Sequence, residues 1–274
     1  MRHPAAVCVF ALATVTGLAQ APSQDAAKPA QASTAASSLP NPAPIQINRL
    51  MIVLDAAHGG MDSGSRISDA TVEKDVTLAL AFKLRSLLSA RGFTVVTTRD
   101  ADSPAEPDAA GTPLTLDDRA GIANHAHAAA CLLLHATGSG NGVHLYGSEL
   151  VATDGELPVE PWLTAQAAWV PQSRQLEKQL ATALTRAGVA LVTSRASVRP
   201  VDSLTCPALV VELAPEGDDP DSINDADYQQ RIAQAIAGAL VFWRNSVQPP
   251  QRLAAAGAAV TTHPAQENKP EAQP

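Results

Sequence analysis

The chain has 274 residues, 46% hydrophobic, 17% charged and 3% aromatic: enough apolar material for one sizeable core and too little charge for a wholly disordered protein. Nineteen Lys and Arg against 27 Asp and Glu give a net charge of -8, which excludes the broad basic field that a nucleic-acid partner requires. Beyond the first residues no apolar run approaches the roughly 20 residues needed to span a bilayer, which excludes a polytopic membrane protein.

Met1-Arg2-His3, the apolar stretch AAVCVFALATVTGLA and the small-x-small Ala19-Gln20-Ala21 read as a secretory signal peptide over residues 1–21, with a single membrane anchor as the alternative. Residues 22–48 are Ala, Pro, Ser and Gln with little hydrophobic periodicity, a composition that cannot offset its ordering entropy by burial and so makes a disordered linker. The same character over residues 248–274 marks a disordered tail, leaving 49–247 as the folded domain. The mature protein is expected to be periplasmic or secreted, with no stable membrane insertion once the signal is cleaved. Signal removal leaves Cys131 and Cys206, read as two separately placed thiols, with a disulfide as the alternative.

Within the domain, Leu50 to Leu54 is a continuous apolar run ended by Asp55 and by Gly59-Gly60, as expected of a strand buried on both faces. Val76, Leu80, Leu84, Leu87 and Leu88 fall at helical spacing between Glu73 and Arg91, with Gly92 as the stop. Phe93 to Thr98 is the next strand, Leu116 to His127 a second helix, and Ala130 to Leu134 a strand that ends at His135. Gly142 to Tyr146 reads as a strand, Ser173 to Ala187 as an amphipathic helix with Ser173 as N-cap, and Val198 to Leu204 as extended. Pro207 to Glu212 is a further buried strand and Ala226 to Arg244 the closing helix. Alternating strands and helices predict an α/β fold, a largely parallel (mixed) central sheet with helices on both faces.

Asp55 with His58, His135, and Glu212 each lie at or just past the C-terminal end of a predicted buried strand, the edge at which open α/β sheets bind ligands. Glu73 joins them if the glycine-containing loop after the first strand folds back over that edge. Two imidazoles, one carboxylate and an open fourth position suit a single catalytic Zn2+ ion, a borderline-soft cation that takes N and O ligands tetrahedrally. Asp55 is read as a partner orienting a histidine, and Arg119, like Arg99, as holding the fold or the rim through charge-assisted bonds. His125, His127, His144 and His263 show no such convergence and are read as structural or solvent-facing.

The segments VLDAAHGGMDSG, EKDVTLALAFKLRSLLSARGFTVVTTRD, LDDRAGIANHAHAAACLLLHA, GVHLY, SRQLEKQL and PALVVEL, in this order, resemble the zinc-dependent N-acetylmuramoyl-L-alanine amidases of the amidase-3 type. The resemblance covers about Met51 to Leu240 and implies zinc held by His58, Glu73 and His135, with Glu212 as the catalytic carboxylate. It implies peptidoglycan as substrate, cut at the amide between the lactyl group of N-acetylmuramic acid and L-alanine. The chain departs from the family pattern at Leu133, at Thr137, where Asn is usual, and after Glu212, where Leu213-Ala214-Pro215 replaces the usual Gly-Phe. These changes fall on the site rim.

Between Gly147 and Gln172, Trp162 and Trp169 are spaced to share one helical face. In some relatives a segment here covers the metal until an activator protein displaces it. A lid, a Trp162 platform for sugar or peptide, and a surface excursion packing two Trp rings are the readings open for it. Beside the amidase stand two alternatives: a catalytically silent or slow scaffold that binds peptidoglycan, and a zinc peptidase acting on another substrate.

Overall fold

A computed structural model describes residues 47–102, 114–153 and 161–247. The expected signal peptide, the expected linker up to residue 46 and the expected tail from 248 lie outside the described residues. The chain order is β1 (Asn48–Ala56), α1 (Glu73–Ser89), β2 (Thr94–Thr97), α2 (Leu116–His125), β3 (Ala128–Ala136) and β4 (Val143–Ser148), then α3 (Val170–Arg186), β5 (Leu191–Ala196), β6 (Ala208–Leu213) and α4 (Ala226–Ser246). Short 3-10 stretches occupy Trp162–Ala168, Val201–Ser203 and Pro220–Asn224.

The six strands form one sheet in the order β2-β1-β3-β6-β4-β5. β1 runs parallel to β2 and β3, and β3 parallel to β6; β4 is antiparallel to β6 and parallel to β5. The mixed sheet expected from the sequence is thus present, with its direction reversed between β6 and β4.

Strand alternation divides the apolar residues between two layers. Ile52, Leu54, Leu132, Leu134, Leu145 and Val211 pack with Leu80 of α1, Leu176 of α3 and Ile232 of α4. Val53, Cys131, Leu133, Ala208 and Val210 pack on the other face with Ala120 and Ala123 of α2 and with Val201. Three helices therefore cover one face, and one helix with a tight turn covers the other. His135, Glu212, His144 and Tyr146 have the parity of this second face, whose thinner cover leaves the ends of β3 and β6 within reach of a ligand.

The helix starts follow from local chemistry. Thr115 caps α2 in a capping box with Asp118, and the Asp225 side chain caps α4 by accepting from the Tyr228 N–H at 2.7 Å. α3 begins at Val170 rather than at Ser173, since Pro171 fits the first turn. Ser173 is instead buried, its hydroxyl donating to Gln166 Oε1 at 2.7 Å and accepting from the Ala208 N–H at 2.9 Å. Among the described residues no helix is long and apolar enough to cross a membrane.

Three further expectations are corrected. Val198 to Leu204 is not extended: the strand there is β5, Leu191–Ala196, an edge strand with mostly exposed side chains and hence no apolar run to reveal it. Cys131 and Cys206 form a disulfide; the register sets Cys131 opposite Ala208, two positions beyond Cys206 on the neighbouring strand. Trp162 and Trp169 do not share a helical face, because the backbone leaves helical geometry at Thr164; Trp169 is buried while Trp162 is 45% exposed.

Candidate metal centre and active site

β1 delivers the chain to a tight turn at its C-terminal end, where His58 adopts a left-handed backbone conformation (φ 63°) unusual for a residue with a side chain. The turn closes through Gly59 and Asp62, whose backbones exchange hydrogen bonds at 2.8 and 3.1 Å. The Asp62 carboxylate meets His58 Nδ1 at 2.8 Å and accepts the Gly64 N–H at 3.1 Å. The loop then returns to start α1 with Glu73, whose N–H donates to the Ser65 carbonyl at 2.9 Å. Glu73 Oε2 accepts from the Ser65 N–H at 2.9 Å and lies 3.1 Å from His58 Nε2. Oε1 lies 2.8 Å from His135 Nδ1 and accepts from the Ala136 N–H at 3.2 Å.

One ligand atom from each of His58, Glu73 and His135 lies within 4.8 Å of the other two. The two imidazoles meet edge to face, with ring centroids 5.6 Å apart. No side chain fits between them and the loop: a Cβ on Gly64 would stand 2.6 Å from His58 Cδ2 and 2.8 Å from Glu73 Oε2.

The electrostatics of this cluster ask for a cation. An ionised Asp62 only accepts hydrogen bonds, so its contact assigns the proton to His58 Nδ1 and turns the Nε2 lone pair toward Glu73. Two acceptors then face each other at 3.1 Å unless a second proton or a metal ion intervenes. The bond to Glu73, working against burial, pushes the His58 pKa up. Burial raises the Glu73 carboxyl, but His135, His58 and the Ser65 N–H outweigh it and hold Glu73 well below the usual carboxylate range. Asp62 is likewise lowered, burial being outweighed by His58 and the Gly64 N–H. Two imidazoles and an ionised, buried carboxylate are a donor set that suits zinc.

Glu212 stands beside this cluster, its Cα paired in register with that of His135 on the adjacent strand and its side chain on the same face. Among the described residues no Arg pairs with Glu212. His144 Nδ1 meets Glu212 Oε2 at 2.8 Å, and the Tyr146 hydroxyl donates to the same oxygen at 3.1 Å. Burial and the Glu212 charge push the Tyr146 hydroxyl pKa up, so Tyr146 stays a donor across the working pH range.

Among the described residues Asp55 touches no imidazole, contrary to the sequence reading: it is buried under the turn and accepts from Thr98 Oγ1 and Arg119 Nη1, each at 2.6 Å. The carboxylate on His58 Nδ1 is Asp62. Arg119 also donates from Nη2 to the His58 carbonyl at 2.7 Å, and Arg99 donates to the carbonyls of Ala56, Ala57 and Lys74 at 2.9, 3.1 and 2.7 Å, so both arginines brace the ligand loop from within. Thr137 follows β3 at the rim, its hydroxyl 3.1 Å from Ser139 Oγ. Trp162 lies against α2, Nε1 donating to Asp117 at 3.4 Å, and the stretch after it is packed: Gln166 donates to the carbonyls of Leu204 and Cys206 at 3.0 and 2.9 Å. Residues 154–160 of the expected lid lie outside the described residues.

Asp62, His144 and Tyr146 are the site residues that the sequence reading passed over. The signal for the last two was the i, i+2 spacing in GVHLY, which puts both on one face of a strand.

The amidase-3 family model, described as N-acetylmuramoyl-L-alanine amidase, matches residues 52–241. The germination-specific N-acetylmuramoyl-L-alanine amidase of Bacillus subtilis (strain 168) is 41% identical over 58 residues, 21% of this chain and 24% of that protein. The N-acetylmuramoyl-L-alanine amidase AmiA of Escherichia coli (strain K12) is 35% identical over 91 residues, 33% of this chain and 28% of that protein. The aligned part thus spans about a quarter of the length of these curated relatives. Among solved structures, the CwlD amidase of Clostridioides difficile, in complex with the GerS lipoprotein, shares the fold with a TM-score of 0.56 at 22% identity, covering 72% of this chain and 99% of that one.

Proposed function

Because the chain belongs to the N-acetylmuramoyl-L-alanine amidase family, we propose that it is a zinc-dependent peptidoglycan amidase acting outside the cytoplasm on the bond between the lactyl group of N-acetylmuramic acid and the L-alanine of the stem peptide. The observation that carries this reading is the convergence of His58, Glu73 and His135, from three separate parts of the chain, within 4.8 Å at the strand edge. His58 Nε2, Glu73 and His135 Nδ1 would hold the ion. When bound, zinc supplies Lewis-acid polarisation of the scissile carbonyl and lowers the pKa of water toward about 7.

The chain's own residues do the rest. Asp62 keeps the proton on His58 Nδ1 and so fixes the tautomer that leaves Nε2 free to ligate. Glu73 supplies the negative charge that offsets a divalent cation in a partly buried site. Glu212 takes a proton from the attacking water as its oxygen adds to the carbonyl carbon. It returns that proton to the alanine nitrogen as the C–N bond breaks, leaving a lactyl carboxylic acid, which gives up its own proton to solvent, and a peptide with a free amino terminus. The Cys131–Cys206 disulfide supports a periplasmic or secreted setting, where such bonds persist. The signal peptide, linker and tail, and an activator protein as partner, belong to the same proposal.

Purified protein incubated with muropeptides, with and without a chelator, tests it. Mass spectrometry should find intact glycan and stem peptide beginning at L-alanine, lost on chelation and regained with zinc. Zinc-loaded protein that releases no stem peptide overturns the reading in favour of a silent scaffold, and cleavage elsewhere in favour of another zinc peptidase.

A further inference from the structure

We propose that His144 and Tyr146 are positioning residues that lock one oxygen of Glu212, so that the other alone faces the reacting water and the leaving amine. The inference rests on the reading of Glu212 as the proton carrier and adds two residues to that machinery.

The sheet reversal makes it possible. β4 runs antiparallel to β6 and sets His144 directly opposite Glu212, with Tyr146 two residues on and on the same face. Both side chains converge on Oε2, at 2.8 and 3.1 Å. No donor among the described residues lies on Oε1. An ionised carboxylate accepts only, so the contact assigns the His144 proton to Nδ1. The imidazole is itself held in place: it meets Tyr146 edge to face with centroids 6.4 Å apart, and a Cβ on Gly140 would lie 2.5 Å from its Cε1 and 2.7 Å from its Nε2. The turn backbone therefore closes on the ring. The His144 side chain is 12% exposed and that of Glu212 23%, so the pair is shielded while the carboxylate still reaches solvent.

A glutamate is a long side chain with several rotamers, and a proton carrier works only when its oxygen is within hydrogen-bond reach of the atom it serves. Two donors on one oxygen select one rotamer and aim the other oxygen outward. Misplacing a catalytic group by about 1 Å can cost on the order of 100-fold in rate. Such an effect falls on kcat, because Oε1 acts on the reacting atoms and does not hold the rest of the substrate.

Steady-state kinetics of the zinc-loaded full chain on a soluble muropeptide test this, with metal content and Tm measured on every variant. His144→Ala should lower kcat about 10- to 100-fold and Tyr146→Phe about 10-fold, with KM changed less than about 2-fold and metal retained. His144→Asn, which keeps an N–H near the Nδ1 position, should regain most of the loss. In a Glu212→Gln background His144→Ala should add less than about a 2-fold effect, since the two act as a unit. Wild-type kcat in His144→Ala, a multiplied loss in the double variant, or a loss that follows Tm or metal content without rescue by Asn each overturns the inference. If Glu212→Gln itself turns over normally, the reading of Glu212 falls; if it is inactive while His144→Ala is not, only the positioning role falls.

Discussion

Asp55 and Arg119 meet at 2.6 Å beneath the loop that carries His58, both buried, and the same guanidinium holds the His58 carbonyl at 2.7 Å. The pair ties α2 to the end of β1 at the point where the chain turns into its first candidate ligand. Removing one partner strands the other charge in the interior. Arg119→Gln should therefore destabilise the fold by about 3–5 kcal/mol in urea unfolding, the range for breaking a buried ion pair. A loss under about 1 kcal/mol would show that Asp55 is neutralised by other means.

Asp62 gives a prediction that separates orientation from ligation. Asp62→Asn can still contact His58 Nδ1 but does not dictate its tautomer, so zinc affinity should fall about 10- to 100-fold in chelator competition, while Glu73→Gln should lose the metal outright. Unchanged affinity in Asp62→Asn would leave the carboxylate a loop staple only.

Gly64 carries a steric prediction with a control built in. Its φ is +65°, and a Cβ there would stand 2.6 Å from the His58 ring. Gly64→Ala should displace His58 and abolish zinc retention. Gly92, at φ +81° with nothing within 4 Å, meets only backbone strain, so Gly92→Ala should cost about 1–2 kcal/mol and leave zinc binding intact. Equal metal content in the two variants would contradict the packing argument.

The disulfide joins β3, which carries His135, to the segment entering β6, which carries Glu212. Replacing Cys131 and Cys206 with Ala should lower stability by about 2–5 kcal/mol, read as a fall in Tm. A variant as stable as the parent would mean that the strand pairing alone sets this register.

Asp102 ties the segment after β2 to the loop after β1 and to the start of α1: it accepts from the Gly60 N–H and from Lys74 Nζ, each at 2.7 Å. Burial raises its carboxyl, but Lys74 and the Gly60 N–H outweigh this and lower its pKa. A carboxyl lowered on folding adds stability that is full above its unfolded value of about 3.9 and is lost as pH falls through the folded one. Asp102→Asn should thus be less stable than the parent at pH 7, by about 0.5–1 kcal/mol after solvent screening, and the gap should close toward pH 2–3. Denaturant melts at pH 7, 4 and 2.5 check this; a gap independent of pH would assign the loss to packing.

The apolar runs ending at Asp55, His135 and Glu212 are legible because their last turns of strand are buried on both faces, and their strand-end position points to the candidate site from the sequence alone. What the sequence concealed was direction and partnership. His144 looked like a mid-strand histidine because nothing in GVHLY says that β4 runs against β6 and so faces Glu212. Asp62 was passed over in favour of Asp55, since the tight turn that folds it back onto His58 depends on a left-handed histidine that no residue pattern announces. The cysteines are 75 positions apart, and only the ladder between β3 and β6 brings them together.

The turn from Thr137 to Gly142 joins the strand holding the second imidazole of the triad to the strand holding the imidazole on Glu212. Strand faces alternate residue by residue, so the register in which this turn delivers β4 decides which face meets Glu212. A one-residue slip of β4 against β6 would aim Val143 and Leu145 at the carboxylate and sink the imidazole into the helical layer, so the apolar face that anchors this strand also keeps the proton carrier's neighbour in place.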